Sequence, residues 1–301
     1  MVNRGLSLHV GLNAVDPDHY AGWAGPLNAC EADARDMKTI ADSQGFGSSI
    51  LLTAEATRTA VLDGIAQAAG QLAAGDIFLL TVSSHGGQVP DLNGDESDGL
   101  DETWCLYDGQ LIDDELSLAL TDFAPGVRVL VISDSCHSGT VVKTAAMQAL
   151  YGDLLSVQRN MTAWAGRGDR WGQLEQAGVV ALPVPRVMPT DVTSRVYLEN
   201  KNFYDGLGSR AELKNVEARV SAAVILLSGC QDNQLSMDGP FNGAFTGQLK
   251  RTWNGGAYKR NYDDFITDIR KGLNDPTQSP GIFRIGNDDA TFNAQRPFLL
   301  G

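Results

Sequence analysis

Two residues able to do covalent chemistry together stand just past the ends of strongly apolar runs. Asp76–Ser83 (DIFLLTVS) leads to His85, with Gly86 and Gly87 behind it. Val127–Ser133 (VRVLVIS) leads through Asp134 to Cys136, with Gly139 following. A cysteine attacks as its thiolate, and an imidazole near neutral pH supplies that form by taking the proton. Glycines beside each residue allow close approach of a substrate, and the Gly86 and Cys136 amides are candidate donors to an oxyanion. The chemistry would be acyl transfer through a thioester. No G-x-S-x-G elbow supports a serine hydrolase. Zinc hydrolysis would need more convergent His or Cys ligands than this spacing offers. His9 falls inside the first apolar segment, His19 in a loop, and His137 points away from its neighbour Cys136 in an extended chain. Cys105 and Cys230 read as small apolar residues.

The elements that must carry these residues alternate. Leu6–Leu12 and Ser49–Thr53 read as strands, and Ala29–Ser43 and Thr57–Ala73 as helices with apolar residues at helical spacing. The two continuous apolar runs read as strands covered on both faces, and Asp113–Phe123 as a helix with acids in its first turn. This order predicts an α/β fold with a mainly parallel sheet and helices on both faces. In such a sheet the carboxyl ends of the strands form the ligand crevice, where His85 and Cys136 would meet. From Tyr151 to Arg219 the pattern weakens, with Pro183, Pro185 and Pro189 close together, and this stretch reads as a partly irregular, accessible insertion. Regularity returns at Ala222–Ser228, then helices at Gly243–Trp253 and Tyr262–Leu273 and a short strand at Gly281–Ile285. One domain in three parts follows: 1–150, an insertion over 151–220, and 221–301.

The chain has 301 residues, enough for a sizeable core, and no apolar run long enough to span a membrane. Its net charge of −14 argues against nucleic acid as a partner. Residues 1–140 hold 21 acids and 5 bases, whereas residues 141–301 hold 16 acids and 18 bases. An acidic first half attracts cations, whether metal ions or basic peptide side chains. Four scattered cysteines without a CxxC pair fit a reducing, cytoplasmic setting.

The motifs resemble those of metacaspases and their prokaryotic form, the orthocaspases, in the caspase-like clan of cysteine peptidases. His85 precedes Cys136 by 51 residues, a spacing similar to that clan's. SSHGG resembles the family's histidine motif, with Ser84 where glycine is usual, and DSCHSG matches its cysteine motif throughout. GCQDNQLSMDG with NGAFT resembles the start of the small-subunit region. The resemblance covers roughly 6–142 and 221–286. It implies a caspase-like fold with a six-stranded sheet, large-subunit-like and small-subunit-like parts before and after the insertion, and an endopeptidase acting on proteins with His85 and Cys136 as its dyad.

Substrate preference follows from charge. Asp134, two residues before Cys136, is placed to point into the pocket for the residue preceding the scissile bond. The resemblance adds Asp33, with Cys30 and Ser83 at neighbouring pocket positions. Two carboxylates there favour Arg or Lys and disfavour Asp. The acid run Asp91–Glu102 has EF-hand-like spacing, but Glu96 stands where that loop needs glycine and no helix flanks it. No cofactor is needed for the chemistry itself. The resemblance implies a calcium site at Asp101, or Asp98, with Asp113 and Asp114. The family's further ligand position holds Lys143, so calcium activation and calcium independence both stay open. The base-containing insertion is set up for cleavage, by the chain itself or an upstream activating protease, after Arg167, Arg170, Arg186 or Arg195. The competing class is a non-proteolytic caspase-like module that binds partners or calcium.

Overall fold

The computed structural model describes residues 3–94, 96, 99–135, 184–230, 236–239, 241–273 and 278–301. Six strands make the central sheet: β1 (Gly5–Gly11), β2 (Gly47–Leu52), β3 (Ile77–Ser83), β7 (Arg128–Asp134), β9 (Ala223–Ser228) and β11 (Gly281–Gly286). Their order is β11-β9-β7-β3-β1-β2, parallel throughout except β11, which runs antiparallel to β9. β3 and β7 are buried at every position, which is why they read as unbroken apolar runs rather than alternating ones.

Alternate side chains of these strands feed two cores. Phe78, Leu80 and Val82 with Val129 and Val131 face α2 (Arg58–Gln71) and α3 (Asp113–Leu120) through Val61, Ile65 and Leu120. Ile77, Leu79, Leu130 and Ile132 face the other side. There they meet α1 (Cys30–Ser43), α6 (Ala244–Trp253), α7 (Tyr262–Leu273) and α8 (Ala290–Ala294) through Met37, Phe245, Phe265 and Phe292. The expected helices on both faces are present. Thr57 caps α2 by accepting a hydrogen bond from the Ala60 amide at 3.1 Å.

Two features depart from the sequence expectation. A second, three-stranded antiparallel sheet, β4 (Gly86–Pro90), β5 (Leu100–Leu106) and β6 (Gly109–Ile112), follows directly from β3. The described end of the insertion is also ordered: β8 (Val184–Pro185) pairs antiparallel with β10 (Met237–Asp238), and α4 (Thr190–Glu199) and α5 (Lys201–Gly208) follow. Met188, Val192, Val196 and Tyr204 form a third core with Val89, Cys105 and Ile112. Tyr204 bonds His19 at 2.7 Å and accepts from the Gln110 amide at 3.2 Å. Arg58, paired with Glu115 at 2.8 Å, lies 5.3 Å from the centre of the Phe203 ring. Of the prolines that suggested irregularity, Pro185 ends β8 and Pro189 sits at the N-cap of α4, while Pro183 lies outside the described residues.

Candidate active site

The site starts from strand register. Ser83 and Asp134, the last residues of β3 and β7, are paired neighbours. His85 stands two residues beyond Ser83, at the carboxyl edge, and Cys136 is two residues beyond Asp134 in the sequence. Cys136 lies outside the described residues, as do Arg167, Arg170, Lys143 and Asp98.

His85 is buried between the loop before α1 and the start of β4. Its Nε2 lies 3.1 Å from the Gly25 carbonyl oxygen. Because a carbonyl only accepts, Nε2 carries the proton and Nδ1 keeps its lone pair. Nδ1 is buried and has no hydrogen-bond partner among the described residues. The Trp23 ring covers the imidazole at 4.7 Å between centroids. Burial, then the nearby Arg186 cation, pushes the imidazole pKa down to about 3, against the Gly25 carbonyl, which favours the charged form. A neutral imidazole with one free ring nitrogen is a base awaiting a proton. Gly25 has φ +51°, and a Cβ on it would come within 3.1 Å of His85 Cδ2, so glycine is required both by conformation and by space.

Beside it lies a fully buried arginine, Arg186. Its Nη2 donates to Asp33 Oδ2 at 2.7 Å and to Asp238 Oδ1 at 2.9 Å. Its Nη1 donates to Ser83 Oγ at 2.9 Å and to the Asp134 carbonyl at 3.0 Å, and lies 3.0 Å from Asp134 Oδ2. Asp33, Ser83 and Asp134, all expected at one pocket, therefore do converge. Cys30 is buried beside them, hydrogen-bonded to Ser83 and close to Arg186, and burial raises its thiol pKa well above the usual range. The carboxylates are held independently of the arginine. Thr246 donates to Asp134 through Oγ1 at 2.6 Å and its amide at 3.0 Å. Asn242 Nδ2 and the Gly243 amide donate to Asp33 at 2.8 and 3.1 Å.

The backbone around Arg186 is as specific as its side chain. The Gly86 amide donates to the Arg186 carbonyl at 3.0 Å, and the Arg186 amide donates to the Ser236 carbonyl at 2.9 Å. The Met188 amide donates back to the Gly86 carbonyl at 2.8 Å. An extended segment is thus added to β10 on one side and β4 on the other, with one basic side chain in a closed acidic pocket. This corrects the expectation of an accessible Arg186. Arg195 is corrected too, because it lies inside α4, paired with Asp191 at 3.4 Å, and not in an irregular loop.

A caspase-domain family model matches residues 14–292. The chain belongs to the caspase-domain family. Metacaspase-1A from Aspergillus fumigatus is 30% identical over 313 residues, covering 97% of this chain and 67% of that protein. Metacaspase-1A from Aspergillus oryzae is 29% identical over 297 residues, covering 92% and 66%. A protein from Geobacter sulfurreducens with a crystal structure is 49% identical, with a TM-score of 0.81 and 99% of each chain covered. Caspase-1 from Spodoptera frugiperda shares the fold, with a TM-score of 0.51 at 12% identity over 93% of this chain and 88% of that one. This caspase-domain chain is a cysteine-type peptidase, a hydrolase with protein substrates. Among the described residues no helix is long and apolar enough to cross a membrane.

The caspase-domain chain gathers acids at a second place, on the three-stranded sheet. Burial and the charges of Glu102, Asp101 and Asp114, in that order, hold the Asp113 carboxyl well above the usual range. Asp101, Asp113 and Asp114 therefore do cluster. Carboxylate oxygens of Glu96, Glu102 and Asp113 lie within 4.8 Å of one another. Glu96 and Glu102 entered the sequence reading only through the rejected EF-hand spacing and not as ligands. Oxygen-only donors suit calcium, and a divalent cation would relieve the mutual repulsion of these groups. Asp238 and Gly25 were also missed. Asp238 lies in the quoted small-subunit motif, the one available signal. Gly25 acts through its carbonyl, which leaves no side-chain trace.

Proposed function

We propose that the chain is an endopeptidase that cleaves proteins after Arg or Lys, with Cys136 as nucleophile and His85 as general base and then acid. The observation that carries this reading is Arg186, whose guanidinium fills an acidic pocket while its carbonyl accepts from the Gly86 amide. Nδ1 of His85 takes the Cys136 thiol proton, and the thiolate forms a bond to the carbonyl carbon of the basic residue. The resulting oxyanion is held by the Gly86 and Cys136 amides. As the C–N bond breaks, the imidazolium gives its proton to the leaving amine. Water, deprotonated by the same nitrogen, then releases the acid and the thiolate. Burial favours neutral His85, so the imidazolium formed in the first step is a willing acid in the second.

Processing belongs to the same reading. Of the two candidate arginines among the described residues, Arg186 is the one presented as a substrate residue, so the Arg186–Val187 bond is the expected cut, made by the chain's own site rather than by an upstream protease. The fragments stay together because β9 pairs with β7 and because Met188, Val196 and Tyr204 remain packed. Calcium would be an accessory ion held by Asp113 and Glu102, with Glu96, Asp101 and Asp114 around them, and would neutralise the acidic end of the second sheet. Cys30 and Cys105 are free thiols, in keeping with a reducing, cytoplasmic setting.

The test is purified protein against fluorogenic peptides ending in Arg, Lys or Asp. Cleavage after Arg or Lys that Cys136→Ala abolishes is expected. Cleavage after Asp, or full activity in Cys136→Ala, would overturn the reading. A partner-binding module without proteolysis would leave the carbonyl seat at Gly86 without a purpose.

A further inference from the structure

We propose that Asp238 is a specificity-determining residue that makes the pocket select arginine over lysine, an inference that rests on the peptidase reading above. Asp33, Asp134 and Asp238 are each at most 2% exposed, so the pocket presents three carboxylates away from bulk water. They stand on opposite sides of the guanidinium. Nη1 serves Asp134 and Ser83, whereas Nη2 alone bridges Asp33 and Asp238. Nε has no partner among the described residues, so recognition is carried by the two terminal nitrogens.

Asp238 is also held by backbone amides. Its Oδ2 accepts from the Asn28 amide at 2.8 Å and its Oδ1 from the Ala29 amide at 3.3 Å. Its backbone position on β10 lies opposite Val184, two residues before Arg186. Asp238 therefore joins the loop before α1 to the strand that aligns the substrate, and presents Oδ1 to one guanidinium nitrogen.

A lysine ammonium is a single point of charge on a four-carbon stem, ending near the place of the guanidinium carbon. It cannot stand at the Nη1 and Nη2 positions together. Lysine would leave one side of the pocket with a buried carboxylate lacking its cation, which is costly. A site built to satisfy a polar group discriminates strongly against an analogue that leaves that site unpaired. Asp238, like Asp33, faces only Nη2, so its charge serves the fork and not the point.

The experiment compares kcat/KM for two fluorogenic peptides, Val-Pro-Arg and Val-Pro-Lys, which copy residues 184–186 and differ in the last residue. Native protein is expected to prefer Arg by roughly tenfold to a hundredfold, the scale of one charge-assisted hydrogen bond. Asp238→Asn is expected to lose about tenfold or more on the Arg peptide and far less on the Lys peptide. Equal use of both peptides by native protein, or an unchanged Arg-to-Lys ratio in Asp238→Asn, would overturn the inference. If melting shows Asp238→Asn unfolded, Asp238→Glu decides: its carboxylate, displaced by one methylene, is expected to lower the ratio at least about threefold, and an unchanged ratio overturns the inference. Cleavage of neither peptide by folded native protein would defeat the peptidase reading itself, a distinct result.

Discussion

The amide of Gly86 donates to the carbonyl oxygen of Arg186 at 3.0 Å, one residue past the histidine that would accept the nucleophile's proton. With the Arg186 side chain in the acidic pocket and its flanks paired to β10 and β4, the chain holds one of its own peptide bonds where a substrate bond would lie.

That arrangement predicts competition between Arg186 and any external substrate. Arg186→Ala should give a chain that no longer cuts itself at residue 186 and that hydrolyses an Arg peptide without a lag. Progress curves of native protein taken before the Arg186–Val187 bond is cut and of Arg186→Ala protein check this, with a lag in the native protein alone as the expected result.

Acidity should act through the pocket rather than through the histidine. Burial raises the Asp33 carboxyl to about 6, opposed by the Arg186 charge and hydrogen bond. His85, lowered to about 3, stays neutral from about pH 5 to 7. Asp33 takes up a proton as pH falls through about 6 with Arg186 seated, and at higher pH once that cation has left, and the pocket loses a negative charge. KM for an Arg peptide should therefore rise toward acid pH with kcat little changed. Asp33→Asn should show a uniformly high KM without that limb.

Gly243 marks how closely the pocket is drawn around its cation. A Cβ there would lie 2.6 Å from both Arg186 terminal nitrogens and from Asp134 Oδ2. Overpacking of this kind costs about 1–3 kcal/mol, so Gly243→Ala should raise KM for Arg peptides roughly tenfold to a hundredfold. Steady-state kinetics on a folded variant is the check.

The way these residues became visible, or stayed hidden, follows from their physics. β3 and β7 could be recognised because strands buried on both faces leave unbroken apolar runs, and the chemistry sits where those runs end. The register pairing of Ser83 with Asp134 then brings His85 and the end of the strand that precedes Cys136 in the sequence to one edge. Asp33 was legible through its motif, although its helix alone would have suggested a solvated carboxylate. The second sheet was hidden because its loop is an acid run and two of its strands, β4 and β6, are short. α4 and α5 were hidden because the prolines ahead of them dominate the pattern. Arg186 could be named a candidate for cleavage, but its seat in the pocket depends on pairing with β10, fifty residues on, which no local pattern encodes.

Calcium should raise the melting temperature if the acids around Asp113 hold it. The same carboxylates repel one another without a cation, so chelator should lower the melting temperature and Asp113→Ala should erase the calcium response. Thermal melts of native and variant protein across a calcium titration give the answer. An identical melting temperature at every calcium concentration would favour a calcium-independent enzyme.

The most direct measurement is the intact mass of the purified full-length protein beside its Cys136→Ala counterpart. Native protein is predicted to yield two co-purifying fragments whose masses place the cut between Arg186 and Val187, and Cys136→Ala a single chain. A native preparation active on Arg peptides with the Arg186–Val187 bond intact, or the same cut in Cys136→Ala, would contradict the account.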